Sequence, residues 1–519
     1  MRPAVAHRIT SLLLWRTPGG RLLIAGIIAF AAVLASYLVY TYTHPTSWTL
    51  DPVDLGVYQS GGLIVRHVRP LYDPHLAAPL YDWSGYHVLH LKFTYAPFAA
   101  VVFAAISYIP WQELPGVSVV ANIVLLIAAA WFTFGGLGYR RGLARLGASL
   151  LTAAALLWTE PVIRTIYLGQ VNLALMALIM WDLCQPDTRA SRWWKGAGVG
   201  IAAGIKLVPL IFIPYLLLTR KFRQALMACV AFVVTAGVGF VFLPSDSAKW
   251  WFGGLFYNGG RTGFVGWEGN QSLRGIITRL AGSVAAGAPI WLVVAAVTAV
   301  LGLGCAAILD RAGHRMAGIL ACALTGLLVS PISWDHHWVW IVPGVATAAV
   351  YAVRATGATA RTAGAGAAAG SAGAAQTGAG RSGPERTVAG RPRPAGQVWR
   401  RAVSLPALGY WALAAGMLAL FGAWPGSLWG EPTDLGHFSL GLIWQPPNTD
   451  PSKYYRKGDR PWFVEYHWHG IQLITGNAYL LGGLGLMAVL LALTAINFPV
   501  RSPAQPADPL SPRLETSRR

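Results

Sequence analysis

Long apolar runs recur along the chain, separated by short polar or charged stretches. A helix that crosses a bilayer needs about 20 mostly apolar residues. Runs of that kind lie near 22–42, 94–110, 117–137, 145–159, 166–183, 196–218, 225–243, 288–309, 316–331, 338–354, 402–423 and 473–497. The pattern predicts an all-α, polytopic membrane protein with about 12 transmembrane helices. Several runs are short, which leaves room for half-helices or re-entrant pieces.

Charge between the runs orients them. Arg2, Arg8, Arg16 and Arg21 place residues 1–21 in the cytoplasm, and the first run reads as an uncleaved anchor. Segment 43–93 is then external, as are 244–287 and 424–472. Segment 355–401, rich in Gly, Ala and Arg, reads as a disordered cytoplasmic linker. It divides a transmembrane catalytic module (22–354) from C-terminal helices (402–497), and 498–519 form a cytoplasmic tail. One region resists the scheme. Arg140, Arg141 and Arg145, then Arg189, Arg192 and Lys195, then Arg220, Lys221 and Arg223 all look cytoplasmic. Three plain crossings before Arg140 would place that first cluster outside. Either the runs over 117–159 do not each cross fully, or the charge rule fails there.

Composition supports the bilayer as solvent. Of 519 residues, 55% are hydrophobic and only 12% charged, with a mean hydropathy of +0.49. Soluble domains carry roughly 25% charged residues. The net charge of +20 sits between apolar runs and in one long loop, so it reads as a topology signal rather than as a nucleic-acid surface. Cys184, Cys229, Cys305 and Cys322 lie far apart in or beside apolar runs, with no metal-binding spacing, and read as small apolar packers.

Several polar residues sit where they are costly. Asp54 follows the first run on the external side, and a carboxylate there is either solvated or poised as a base. Lys206 lies within an apolar run, at a cost of roughly 2.5–3.5 kcal/mol on insertion scales. A buried anion such as a lipid phosphate would offset that cost, whereas snorkelling is the plainer reading. Gln170 and Asn172 open another run, where amides cap helices, join them or bind hydroxyls. The densest cluster, Ser330 to Trp338, holds Trp334, Asp335, His336 and His337 in an external turn. Adjacent histidines rarely ligate one ion, and no metal site is expected. Phosphate or sugar contacts fit better, against a plain capped turn. Asn270 and Gln271 follow several Trp residues, a mixture suited to sugar rings. No P-loop, Rossmann glycine pattern, nucleophile elbow or D-x-D pair occurs, so any donor is not expected to be a nucleotide.

Seven short motifs in order resemble a known family: VDLGVYQSGG (53–62), PLYDP (70–74), FTYAPFAAVVF (93–103), LGQVNLALMAL (168–178), GIAAGIKLVPLIFIPYLLLTRKFR (200–223), GNQSLRG (269–275) and SPISWDHHWVW (330–340). They resemble the polyprenol-phosphate-mannose-dependent mannosyltransferases of actinobacteria, glycosyltransferase family 87 of the C superfamily. The resemblance spans about 50–345 and is less clear over 355–519. It implies a multi-helix plasma-membrane enzyme with its site on the external face and no metal or other cofactor. Its partners would be a polyprenyl-phosphate sugar donor and a glycolipid or glycan acceptor, of phosphatidylinositol mannoside or lipomannan type. The family's first-loop aspartate, matching Asp54, would be general base in an inverting transfer that makes an α-linked product. Lys206, His336 and His337 are then candidates for the donor phosphate. Tyr95, Gln170, Asn172, Asn270, Gln271 and Trp334 are candidates for the sugar and acceptor. A polyprenyl-phospho-arabinofuranose donor and a lipid-linked sugar flippase remain the alternatives.

Overall fold

The structure, a computed structural model, describes residues 17–43, 52–73, 92–257, 261, 263–356, 405–422, 442–444 and 464–495. The linker over 357–401, most of 424–472, the first 16 residues and the tail from 498 lie outside the described residues. Among those described the protein is helical, and its β-structure is limited to two isolated bridges, Thr159 with Gly422 and Asn270 with Trp334.

Five helices are long and apolar enough to cross a membrane: α1 (Pro18–Thr43), α4 (Leu114–Gly136), α10 (Phe222–Phe242), α13 (Val284–Arg311) and α15 (Asp335–Thr356). A sixth candidate is the pair α6 (Glu160–Leu168) and α7 (Asn172–Leu183), bent by 116° at Gly169. Gly169 takes φ +67, a left-handed conformation that costs glycine nothing. Shorter apolar helices fill the bundle: α5 (Leu143–Leu157), α9 (Val208–Leu218), α14 (Arg315–Val329), α16 (Leu405–Phe421) and α18 (Ala478–Ala495). The outward faces are apolar, as with Ile28, Val39, Leu226, Val233, Val293 and Val300, all more than half exposed. So much apolar surface facing outward is the signature of a protein solvated by lipid.

Side-chain contacts fix the direction of each helix. The N-terminal turns of α1 pack on those of α5, where a Cβ on Gly147 would meet the Leu22 backbone at 2.5 Å. Their far ends meet where Tyr37 and Tyr40 pack edge-on against Trp158. The two helices therefore run parallel, with backbones close enough to require glycine. The start of α5 also touches the end of α4 through Arg145, whose Nε donates to the Trp131 carbonyl at 2.8 Å. One end of the bundle is an arginine end. There Arg354 donates to Leu137 O, Arg315 to Leu183 O and Arg311 to Leu218 O, each a carbonyl at the end of a neighbouring helix. Cations suit the negative ends of helix dipoles. Lys221 pairs with Asp310 at 2.6 Å, and Lys195 with Asp187 at 2.7 Å.

This geometry accounts for the region that resisted the charge pattern. Segment 94–110, read from sequence as a crossing, is only a seven-residue helix, α3 (Pro97–Phe103), followed by a turn at Ile106–Tyr108. It stays beside α2 (Val53–Arg66) at the opposite end, so α4 arrives at the arginine end and brings Arg140 and Arg141 with it. Segment 196–218, read as one helix, is two arms: α8 (Ala197–Ile205) rises from the arginine end, and α9 returns. Pro209 has no N–H to bond back to Ile205, and the chain breaks at Lys206. The 12 residues of α7 make about 18 Å from the arginine end to Asn172, against about 39 Å for the 26 residues of α1. The polar centre is thus set deep in the bundle.

Candidate functional site

A cavity of about 1280 Å³ opens at the end opposite the arginines. Asp54 lies on its wall in the first turn of α2, where an anion is favoured by the helix dipole. Gln170 is its side-chain hydrogen-bonding neighbour. The Gln170 Oε1 accepts from Tyr58 at 2.7 Å and Tyr95 at 3.4 Å, and the two hydroxyls are 2.8 Å apart. That turns the Gln170 amide N–H toward the aspartate. Burial pushes the Asp54 carboxyl above its usual range. His336, Gln170, Lys206 and Arg164 pull it back in part.

Lys206 sits at the apex between α8 and α9. Its ammonium donates to Asn172 Oδ1 at 3.0 Å and to His337 Nε2 at 2.8 Å. An ammonium has no acceptor, so His337 accepts on Nε2 and carries any single ring proton on Nδ1. One Lys206 N–H is left for a ligand. Asn172 is held in turn, its Nδ2 donating to the His336 carbonyl at 2.9 Å. His336 Nδ1 pairs with Asp335 at 3.0 Å, and its Nε2, on the cavity wall, is buried with no protein partner. Asp335 is fixed by Arg164 at 2.9 Å, and Arg164 also lies 3.8 Å from Glu160. A chain of contacts therefore links α6, α7 and α15 behind the cavity floor.

Trp334, Trp250, Trp267 and Tyr257 line the mouth with Arg261 and Arg274. Trp334 packs edge-on against Trp267 with centroids 5.4 Å apart, and Trp250 stacks on Tyr72 at 5.4 Å. Rings of this kind present flat apolar faces to a sugar, with polar groups at the edges. Among the described residues no three His, Cys, Asp or Glu side chains group as a metal site would need.

Of the residues singled out by sequence, Asp54, Tyr95, Gln170, Lys206, Trp334, His336 and His337 converge on this cavity. Asn172 stands just behind them, bonded to Lys206. Asn270 and Gln271 do not reach it. Both are fully buried, and their amides are spent on backbone: Asn270 on Val265 O at 2.8 Å and Ser333 N at 2.9 Å, Gln271 on Glu268 O at 2.6 Å and Gly476 O at 2.8 Å. They clamp the 261–272 loop to the Ser333 turn and to the C-terminal helices. Sequence reading passed over Arg164, Arg261 and Arg274. Arg164 had a signal, the Glu160–Arg164 spacing of one helical turn inside an apolar stretch.

A sequence model of glycosyltransferase family 87 matches residues 93–331, which include Tyr95, Gln170, Asn172 and Lys206. The chain is 36% identical over 342 residues to a Mycobacterium tuberculosis (strain CDC 1551 / Oshkosh) protein, a polyprenol-phosphate-mannose-dependent alpha-(1-2)-phosphatidylinositol pentamannoside mannosyltransferase. That match covers 66% of this chain and 74% of the relative. The chain belongs to glycosyltransferase family 87. A second relative, the polyprenol-phosphate-mannose-dependent alpha-(1-2)-phosphatidylinositol mannoside mannosyltransferase of Mycobacterium tuberculosis (strain ATCC 25618 / H37Rv), is 32% identical over 353 residues, 64% of this chain and 78% of the relative. A Mycolicibacterium smegmatis pentamannoside mannosyltransferase is 34% identical over 62% of this chain and 74% of its own length. No solved structure matches. The family 87 match runs from 93 to 331, so Asp54, Trp334, His336 and His337 enter the site by geometry rather than by that match.

Proposed function

We propose that the chain transfers mannose from a polyprenyl-phosphate-mannose donor to a phosphatidylinositol mannoside-type acceptor, as the relatives' names say of them. The observation that carries the reading is one cavity whose wall holds both a half-buried carboxylate, Asp54, and a half-buried ammonium, Lys206. Asp54 takes the proton from the acceptor hydroxyl. The freed oxygen attacks the anomeric carbon while the bond from that carbon to the phosphate oxygen breaks. The electron pair leaves with the polyprenyl phosphate. Attack in line inverts the anomer, so a β-linked donor yields an α-linked product.

The leaving phosphate gains negative charge, and Lys206 with its remaining N–H meets it. His337 aims the ammonium, and His336 offers its open Nε2 edge. Tyr95 and Gln170 hold the carboxylate in place, Asn172 holds Lys206, and Trp334 covers the sugar. Asn270 and Gln271 support the wall from behind. We place the cavity end on the external side of the plasma membrane and the arginine end in the cytoplasm, with about 12 crossings between them. Purified protein in nanodiscs, given labelled polyprenyl-phospho-mannose and a mixture of phosphatidylinositol mannosides of graded length in EDTA, should lengthen at least one of them by a single mannose. Transfer only from polyprenyl-phospho-arabinofuranose, or lipid movement across the bilayer with no transfer, would contradict the proposal.

A further inference from the structure

Several basic side chains line the cavity besides Lys206, and one of them, Arg274, has an unpartnered nitrogen. Arg274 stands in the first turn of α12 (Leu273–Ala281) and reaches the cavity beside Trp291 of α13. Its guanidinium carbon is 4.9 Å from the Trp291 ring centre. That contact occupies the face of the guanidinium and leaves its edge. The edge nitrogen Nε is buried with no acceptor, and so is the Trp291 Nε1. Two unpartnered buried donors side by side are costly unless something accepts from both. Among the described residues no ion pair holds Arg274, and burial lowers its pKa from the ordinary value.

The surroundings indicate what the acceptor is. Trp291 lies about 10 Å along the membrane-spanning candidate α13 from its start at Val284, and Trp is enriched where such helices meet lipid headgroups. Its neighbours Ile290, Leu292 and Val293 are all more than half exposed and face lipid. The Arg274–Trp291 pair therefore looks into the cavity from the wall that borders the membrane. An anion brought there on a lipid tail meets a fixed cation and an indole N–H together.

We infer that Arg274 and Trp291 form a second anion subsite, which holds the phosphodiester of the glycerophospholipid acceptor while Lys206 holds the donor phosphate. This rests on the transferase reading above and narrows it: the acceptor is recognised by its phosphate as well as by its sugar. A two-site arrangement fixes both lipids by their headgroups, so the acceptor hydroxyl reaches Asp54 from a tethered chain.

The test has a binding arm and a turnover arm. In the binding arm, dihexanoyl phosphatidylinositol and dihexanoyl glycerol are titrated into detergent-solubilised full-length protein. The account predicts tighter binding of the phosphorylated lipid, lost in Arg274→Gln and weakened in Trp291→Phe, which keeps the ring and removes the N–H. In the turnover arm, Arg274→Gln should raise KM for the phosphatidylinositol mannoside that the unaltered protein lengthens by about 10–100-fold, the range expected for one charge-assisted contact. The KM for the donor should hold. Equal binding of the two lipids by the unaltered protein would overturn the inference. So would a rise confined to the donor's KM, which would give the subsite to the donor. Arg274-dependent binding without mannosyl transfer would sink the transferase reading and leave the subsite standing.

Discussion

Two polar clusters lie within one wall of this bundle and use their hydrogen bonds in opposite ways. At the clamp, Asn270, Gln271, Arg279 and Asn477 are buried and turned inward. Arg279 donates to Gly266 O, Trp267 O and Asn270 O and to the Asn477 side chain. Apart from Arg279 Nε, which has no acceptor and lies away from the cavity, their bonds go to protein, and what they make is a joint between the 261–272 loop and the C-terminal helices. At the cavity floor, Asp54, Lys206 and His336 are also buried or half-buried, yet all three line the cavity, and His336 Nε2 has no protein partner. Residue type does not separate the clusters, since both are amides and charges beside helix ends. What separates them is whether the hydrogen bonds close on the protein or remain open to a ligand.

Substitutions should therefore divide into those that cost turnover and those that cost stability. Lys206→Met should reduce kcat by about 10²–10³, the usual loss for one electrostatic contact to a developing anion. The protein should still purify as a monodisperse particle; aggregation of the variant would move Lys206 to the structural side. Arg164→Met should do the reverse. It strands the Asp335 and Glu160 carboxylates in the bundle, a loss of about 3–5 kcal/mol. Thermal unfolding in detergent should show a large drop. An unchanged midpoint would mean that the acids are solvated from the cavity.

Asn270→Ala should be milder, about 1–3 kcal/mol, because it leaves Ser333 N without its acceptor. Its donor KM should stay within about twofold, since clamp residues touch no ligand. A large KM change would erase the distinction between the clusters. The smallest effect is a pH effect at the same joint. The Glu268 N–H donates to the Glu465 carboxylate near Arg279; burial raises both carboxyls above the ordinary range, and the Glu465 charge raises Glu268 further. Their neutral forms favour the fold. The stabilisation is complete below about pH 4.5 and is lost as pH rises through the raised folded values. The melting temperature should fall by a few degrees between about pH 4.5 and pH 8 and level off above that, and Glu268→Gln should flatten that dependence.

The sequence showed the membrane class and most of the cavity floor, chiefly for one reason: a charge or amide within an apolar run is costly and stands out. Gln170, Asn172 and Lys206 were legible on that ground, and Asp54, His336 and His337 through their motifs at the edges of runs. Asn270 and Gln271 were legible as polar but not as structural, because their partners, Ser333 and Gly476, are remote along the chain. The path of 94–110 was missed because hydropathy measures apolar length and not direction; Pro97 starts a helix that ends at Phe103. The V at Lys206 was hidden in the same way, since its two arms read as one run. Arg274 resembled any external arginine until Trp291, on the next helix, was set beside it.

The central claim is that Asp54 takes the acceptor's proton, and it is tested most directly by following transfer by the unaltered protein and by Asp54→Asn in nanodiscs across pH. The account predicts a loss of about 10²–10⁴ in kcat for the variant, with donor binding kept. It also predicts, for the unaltered protein, a kcat/KM that falls on acidification through a pKa above the ordinary aspartate value of 3.8. That limb should vanish from the variant's residual activity. Transfer by Asp54→Asn at near the unaltered rate, with the acid limb still in place, would assign the base to another group and contradict the account.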